Sequence, residues 1–367
     1  MGAQDTSSEA ELLAGFLPIL EAHNQHVRRE AASRGLSDSL VVGPGDDCAV
    51  LHLPQAPTVI TTDTQTEGQD FRQVWPSGAS TEGYDVGWKA ATQNLADVAA
   101  MGAEPSTLVV SLSLPPYVSA EWVQGFARGL VDSCRANQAS LCTVSGGDLG
   151  RSSEISVTVT AVGQCAAQPV LRNGACPGDV VAVAGELGTA AAGFACLEYS
   201  TDHLAWIAEV ASVVEAQQRP LGAITAGHAA AGCAHSMLDI SDGLIRDAQR
   251  IALASGVSID FSMAQLEPMV TALLPAARWL LTRAPAFAHD RGLSEKDLEI
   301  SAQRQATQWM LSGGENHGML ATFAAHESIP SGFTEVGTCA SADLAPKVTV
   351  DKQLPNVTGW DHFNRGR

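Results

Sequence analysis

Positive charge is scarce in this 367-residue chain: 21 Lys and Arg stand against 40 Asp and Glu, for a formal charge of −19. Such a surface repels phosphate backbones and anionic bilayers, which argues against nucleic-acid and membrane partners. Aromatic residues make up only 5% of the chain. Ala and Gly take their place, which predicts elements packed closely through small side chains. No apolar run approaches the roughly 20 residues that a membrane-spanning helix needs. Eight cysteines, at 48, 134, 142, 165, 176, 196, 233 and 339, include no CxxC pair. No secretory signal pattern precedes them, so reduced thiols in a cytoplasmic protein are expected. The GxxxxGK[ST] phosphate loop and the protein-kinase catalytic-loop pattern are also missing. Any nucleotide chemistry must therefore rest on another scaffold.

With 45% hydrophobic and 17% charged residues the chain is globular, and it is long enough for two cores. Apolar periodicity predicts helices over 9–36, Asp85–Met101 and Ala120–Asn137, with Gly102 as a stop. Short strands are predicted at Leu40–Val42, Ala49–Leu53, Thr58–Thr62, Leu108–Leu114, Leu141–Ser145 and Ile155–Val162. The second half repeats the alternation. Val180–Ala184, Met237–Ile240, Met310–Gly314 and Leu320–Phe323 read as strands, with helices after Gly188, around Leu204–Val214 and up to Ala254. Residues 264–306 read as loosely helical. A boundary near 166 gives two domains, 1–165 and 166–367. No internal repeat or low-complexity linker is present.

The aspartates carry the chemical signal. Asp46, Asp47, Asp63, Asp148, Asp239 and Asp242 fall at predicted strand ends or in glycine-bearing turns, and Asp97 lies on a helix. Each has an ordinary structural use as a turn or cap residue. Together they are less easily dismissed, because carboxylates at several strand ends can converge on one cleft. A set of this kind needs counter-charge, and hard oxygen ligands suit Mg²⁺, which keeps water and substrate phosphates in its shell. Gly146-Gly147-Asp148 would set main-chain N–H groups beside a carboxylate. Gly185-x-x-Gly188 would bring an anion to a helix N-terminus, although such a pair is often only a tight turn.

Eight segments occur in order: Gly43–Leu51, Thr61-Thr62-Asp63, Asn94–Ala103, Gly146-Gly147-Asp148 with Arg151, Arg172–Ala175, Asp239–Leu244, Ser312–Glu315 and Gly359–Phe363. This series resembles the thiamine-monophosphate kinases of the aminoimidazole ribonucleotide synthetase superfamily, from about residue 40 onward. The resemblance implies a two-domain α/β (α+β) subunit in a homodimer, with an N-terminal sheet that forms a barrel between subunits. It also implies in-line transfer of the ATP γ-phosphoryl group to thiamine monophosphate, aided by Mg²⁺. By motif position Asp46, Thr61, Thr62, Asp63, Asp97, Asp148, Asp239 and Asp242 would hold the metal, with Asp148 and Asp242 central to catalysis. Gly147, Asp148, Arg172 and Ser241 would contact ATP. Glu315 and Trp360 would contact the acceptor, and an indole face suits a cationic thiazolium.

Two positions depart from the family pattern. Asp70, in Glu67-Gly68-Gln69-Asp70-Phe71, stands where relatives usually have a substrate-facing His. Asn316 follows Glu315 where relatives usually have Asp. Both lie on the acceptor side, which keeps two other readings open. One is an ATP-dependent kinase or amide-activating synthetase for a different small molecule. The other is a nucleotide-binding relative without catalysis, which the intact aspartate set disfavours.

Overall fold

A computed structural model describes residues 9–36, 39–43, 49–53, 56–199, 208–283, 294–357 and 359–360. Its contacts divide the chain into two units: Met1–Val74 with Ser80–Pro169, and Trp75–Ala79 with Val170–Arg367. Among the described residues no helix is long and apolar enough to cross a membrane.

In the first unit, helix α1 (Glu9–Ser33) precedes a small antiparallel pair, β1 (Leu40–Val42) and β2 (Val50–Leu51). The main sheet uses β3 (Thr58–Thr66), β4 (Ala103–Leu114), β5 (Thr143–Arg151) and β6 (Ser156–Cys165), in the order β3-β6-β4-β5. Only β4 and β5 run parallel. Two strands are longer than their apolar cores predict. β3 continues through Thr64, Gln65 and Thr66, which pair with Thr158, Val157 and Ser156, so Asp63 lies inside the strand opposite Val159. β5 runs through Gly146-Gly147-Asp148, where the sequence pattern predicts a loop. The close strand pair requires glycine there: a Cβ at Gly147 would lie 1.7 Å from the Val110 carbonyl oxygen.

Helices α2 (Gly83–Ala100) and α3 (Ala120–Ala136) pack in this unit. A Cβ at Gly87 would meet the Phe126 carbonyl oxygen at 2.1 Å, so the small residues serve helix–helix contact as well as packing on the sheet. Asn24 of α1 exchanges two 2.9 Å hydrogen bonds with the Val144 main chain, pinning that helix to β5. Side chains alternate across β3. Thr61, Asp63 and Gln65 share the face toward α2, while Thr58, Ile60, Thr62 and Thr64 point to the open face, where Ile60 is 72% exposed.

The second unit is built on six strands: β7 (Val180–Ala184), β8 (Ala234–Ile240), β9 (Val257–Phe261), β10 (Gly318–Phe323), β11 (Phe333–Ser341) and β12 (Val348–Val350). Their order is β12-β9-β11-β7-β10-β8, antiparallel except for β12 with β9. Around them lie α4 (Thr189–Leu197), α5 (Ala211–Gln218), α6 (Ile224–Ala229), α7 (Leu244–Ser255), α8 (Met263–Arg283) and α9 (Glu295–Ser312). Leu238, Ile240, Leu244, Ile251, Phe261, Leu273 and Leu280 sit in its core. The loosely helical stretch thus resolves into α8 and α9. The predicted strand at Met310–Gly314 is instead the last turn of α9 and its exit, because a short apolar run has no period long enough to tell strand from helix. Of the predicted Leu204–Val214 helix, residues 204–207 lie outside the described residues, and a 3₁₀ turn at Ala208–Val210 leads into α5.

Candidate functional site

In the first unit, helical and strand periodicities meet. Gln93 and Asp97 are one turn apart on α2, and Thr61 and Gln65 share one face of β3. Thr61 Oγ1 donates to Asp97 Oδ2 at 2.6 Å, and Gln65 Nε2 donates to Gln93 Oε1 at 3.1 Å. Asp63 lies between them on the same strand face. Thr62 does not join this group. Its hydroxyl donates to the Val159 carbonyl at 3.1 Å and accepts from Thr160 Oγ1 at 3.0 Å on the opposite face. Asp148 is exposed on β5 across from Ser111, and its carboxylate makes no hydrogen bond or ion pair among the described residues. Asp46 and its Asp47 neighbour lie outside the described residues.

The loop after β3 is internally bonded. Asp70 Oδ2 accepts from the Thr66 N–H at 2.7 Å, and the Asp70 N–H donates to the Thr66 carbonyl at 3.0 Å. Glu67 accepts from Gln73 Nε2 (2.5 Å), Tyr117 Oη (2.6 Å) and the Ile155 N–H (3.2 Å). Burial alone would raise the Glu67 carboxyl, but these three donors hold it below its ordinary value. Burial and the Glu67 carboxylate push the Tyr117 phenol up to about 12.

In the second unit, three separate segments close on one another through the main chain. Ser241-Asp242-Gly243 turns β8 into α7. The Ser241 carbonyl accepts from the Glu315 N–H at 2.9 Å, and the Asp242 carbonyl accepts from the Trp360 N–H at 2.9 Å. Glycines make the approach possible: a Cβ at Gly314 would lie 2.2 Å from the Ser241 carbonyl oxygen, and one at Gly359 would lie 2.5 Å from that of Asp242. Glu315 (φ 64°) and His317 (φ 52°) both adopt left-handed backbone, a strain on the order of 1 kcal/mol each that the surrounding contacts must hold. Buried His317 lies 3.4 Å through Nδ1 from Asp239 Oδ2. Trp360 is 45% exposed. Asp239, Ser241, Asp242, Glu315 and Trp360 are therefore brought together. Arg172 has an exposed side chain, and its carbonyl accepts from Ser255 Oγ at 2.9 Å.

Sequence reasoning missed the residues that hold Asp242. Its carboxylate is ion-paired with Arg250 and lies 3.6 Å from Arg246 Nε, while its N–H donates to Asp247 Oδ2 at 2.9 Å. Asp247 is fully buried and also accepts from Arg250. Burial pushes its carboxyl up to about 7, against the opposing pull of the Asp242 N–H and Arg250. The signals were present: an acidic residue in the first turn of a predicted helix, and Arg at four and eight positions after Asp242.

None of the predicted ligands gathers with two further His, Cys, Asp or Glu ligand atoms within 4.8 Å among the described residues. Thr61, Asp63 and Asp97 nevertheless offer only hard oxygens. That fits Mg²⁺, which takes one or two carboxylates and completes its shell with water and phosphate. Asp242 fits less readily, since Arg250 already neutralises it.

Residues 45–165 match the AIR synthase related protein, N-terminal domain, and residues 176–327 match the AIR synthase related protein, C-terminal domain. The thiamine-monophosphate kinase of Mycobacterium tuberculosis is 34% identical over 331 residues, covering 89% of this chain and 86% of that protein. The chain belongs to the thiamine-monophosphate kinase family. A thiamine monophosphate kinase structure from Aquifex aeolicus matches at a TM-score of 0.63 and 27% identity, covering 82% of this chain and 90% of that one. The structure of AaThiL complexed with AMPPCP and TMP matches at a TM-score of 0.66 and 26% identity, over 92% and 96% of the two chains. Against this thiamine-monophosphate kinase background, Asn316 is buried and its Nδ2 donates to Thr189 Oγ1 at the start of α4. Asn316 therefore makes an internal contact of the second unit.

Proposed function

We propose that this protein is an ATP-dependent kinase that transfers the γ-phosphoryl group of ATP to the phosphate of thiamine monophosphate, giving thiamine diphosphate and ADP. The 34% identity to a thiamine-monophosphate kinase over 89% of the chain carries this reading. A similar structure that holds AMPPCP, an ATP analogue, together with TMP supports it. A phosphate oxygen of the acceptor attacks the γ-phosphorus, and the bond to the β–γ bridging oxygen breaks as ADP leaves. The attacking oxygen is already anionic, so no general base is needed; charge neutralisation and alignment dominate. Mg²⁺, when bound, neutralises phosphate charge and fixes the phosphate oxygens in line. Asp63 and Asp97 supply carboxylates for it, with the Thr61 hydroxyl fixing the orientation of Asp97. Asp148 offers an exposed carboxylate beside Gly147. Arg172 and Ser241 are assigned to ATP. Glu315 and the exposed ring of Trp360 are assigned to the acceptor, where an indole face attracts a thiazolium cation.

ADP release with and without thiamine monophosphate, with mass detection of the product, tests the proposal. The expected result is acceptor-dependent ADP release, and turnover lower by at least about a hundredfold in Asp148→Asn with the fold intact. ADP release indifferent to this acceptor, or a different phosphorylated product, rejects it. The second reading is an ATP-dependent enzyme of the same superfamily acting on a different small acceptor, and a different phosphorylated product in this assay would favour it.

We also propose that the protein is a homodimer closed through the open face of the first sheet, where Ile60 is 72% and Val109 38% exposed among Thr and Ser side chains. A second copy packed on this face would cover both side chains. Sedimentation at low micromolar concentration should give twice the single-chain mass, and a lone single-chain species removes the idea. Seven cysteines are unpaired among the described residues, which supports a reducing, cytoplasmic setting.

A further inference from the structure

A tight turn in the second unit carries chemistry that phosphoryl transfer does not use. In Cys176-Pro177-Gly178-Asp179 the Asp179 N–H donates to the Cys176 carbonyl at 3.1 Å, and Gly178 has φ 96°. Pro at the second position and a left-handed Gly at the third are the residues of a type II β-turn. The turn brings its first and last residues together, and Asp179 Oδ2 accepts from the Cys176 N–H at 2.8 Å. Hydrogen bonds from Gly178 N–H to the Cys339 carbonyl (2.9 Å) and from Cys339 N–H to the Asp179 carbonyl (2.8 Å) fasten the turn to β11.

The neighbouring strand β8 supplies a third group. His235 Nδ1 lies 2.9 Å from Asp179 Oδ2 and 3.0 Å from Oδ1. The main chain leading into the turn is held against this histidine: a Cβ at Gly174 would lie 1.7 Å from the His235 carbonyl oxygen. Potential ligand atoms of Cys176, Asp179 and His235 all lie within 4.8 Å of one another, and no other such grouping occurs among the described residues. The Asp179 side chain is only 5% exposed, whereas that of His235 is 37% exposed and Cys176 is open to solvent.

We propose that Cys176, Asp179 and His235 form a binding site for a borderline-soft divalent transition metal of the Zn²⁺ class. The buried carboxylate is fixed by the turn, and the two accessible ligands close on an ion arriving from solution. A thiolate, an imidazole and a carboxylate select Zn²⁺ or Co²⁺ over Mg²⁺, and three protein ligands leave the fourth tetrahedral position to water. Binding requires the thiolate, so the Cys176 thiol proton is released to solvent as the metal–sulfur bond forms. The site shares no residue with those assigned to ATP, Mg²⁺ or the acceptor.

Co²⁺ titration of the metal-stripped full chain, without nucleotide or Mg²⁺, tests the site. A thiolate-to-cobalt charge-transfer absorption should appear, saturate at a single equivalent and be abolished by Zn²⁺. It should vanish in Cys176→Ser and in His235→Ala, and persist in Cys233→Ser, which removes the other partly exposed described cysteine. Zn²⁺ should raise the thermal midpoint of the wild type and leave that of Cys176→Ser unchanged. Absence of the band in the wild type, or its survival in Cys176→Ser, overturns the proposal and leaves an Asp179–His235 ion pair beside an uninvolved thiol. An oxygen-only Mg²⁺ site cannot produce this absorption, so the result is independent of the kinase reading.

Discussion

The two units place their candidate residues by different means. The first uses side chains on regular elements: strand alternation puts Thr61, Asp63 and Gln65 on one face, and one helical turn sets Gln93 and Asp97 opposite them. The second uses main chain, with Ser241, Asp242, Glu315 and Trp360 drawn together by carbonyl and N–H groups at glycines that leave no room for a Cβ. Side-chain placement tolerates change because a lost hydrogen bond leaves the element intact. Main-chain placement does not, since a methyl group in the gap must push two segments apart.

The largest expected effect breaks this contrast if it fails. Gly314→Ala would set a Cβ 2.2 Å from the Ser241 carbonyl oxygen. It should lower stability by about 3 kcal/mol or more in urea unfolding and disturb Glu315, a loss in the range of severe backbone clashes. Thr61→Val is the counterpart in the first unit. It removes one part-buried hydrogen bond to Asp97 and should lower stability by only about 1 kcal/mol. Equal losses in the two variants would show that the units are built alike.

The same contrast decides what could be read from the sequence. The first unit was legible in outline because β-branched alternation and helical spacing are local patterns. Its errors were at strand ends: Thr64–Thr66 and Gly146–Arg151 are strand only because partners lie beside them. A period of two sends the adjacent Thr61 and Thr62 to opposite faces of β3, a separation that motif adjacency does not display. In the second unit the ordered motifs named Asp239, Ser241, Asp242, Glu315 and Trp360. Nothing local revealed that the Ser241 carbonyl would meet the Glu315 N–H from 74 positions away. Asp247, Arg250 and His317 were missed for the same reason, because their importance lies in whom they touch.

Asp247 gives an intermediate effect, with a sign set by burial. Its carboxyl is pushed up to about 7, so the folded protein holds a proton that the unfolded chain has released above about pH 4. Raising the pH from about 4 to about 7 therefore removes stability contributed by this group, and below about 4 that contribution is complete. Asp247→Asn keeps an oxygen to accept the Asp242 N–H but cannot ionise. In metal-free buffer the wild type should lose about 3 kcal/mol more than this variant across that range. Parallel stability–pH curves would mean that Arg250 keeps Asp247 ionised throughout, and the second unit would hold its loop by an ordinary ion pair.

The smallest effect concerns Asp70, where the side-chain logic of the first unit meets the altered acceptor segment. A carboxylate near an incoming phosphate repels it by on the order of 1 kcal/mol at about 4 Å in a watery setting, more where water is excluded. One oxygen of Asp70 is already committed to the Thr66 N–H, and the same two residues are joined again through the main chain. That geometry describes turn closure, a use in which the negative charge is incidental. Asp70→Asn keeps the acceptor oxygen and deletes only the charge. Its stability should stay within about 0.5 kcal/mol of the wild type, and its KM for thiamine monophosphate should change by less than about threefold. Asp70→His cannot reproduce the short-range acceptor and should be the less stable of the two, by about 1 kcal/mol. A clear fall in KM for the Asn variant would show that the charge faces the acceptor after all. The departure from the family's His would then be a substrate-selecting change, and the search for a different acceptor would begin at this residue.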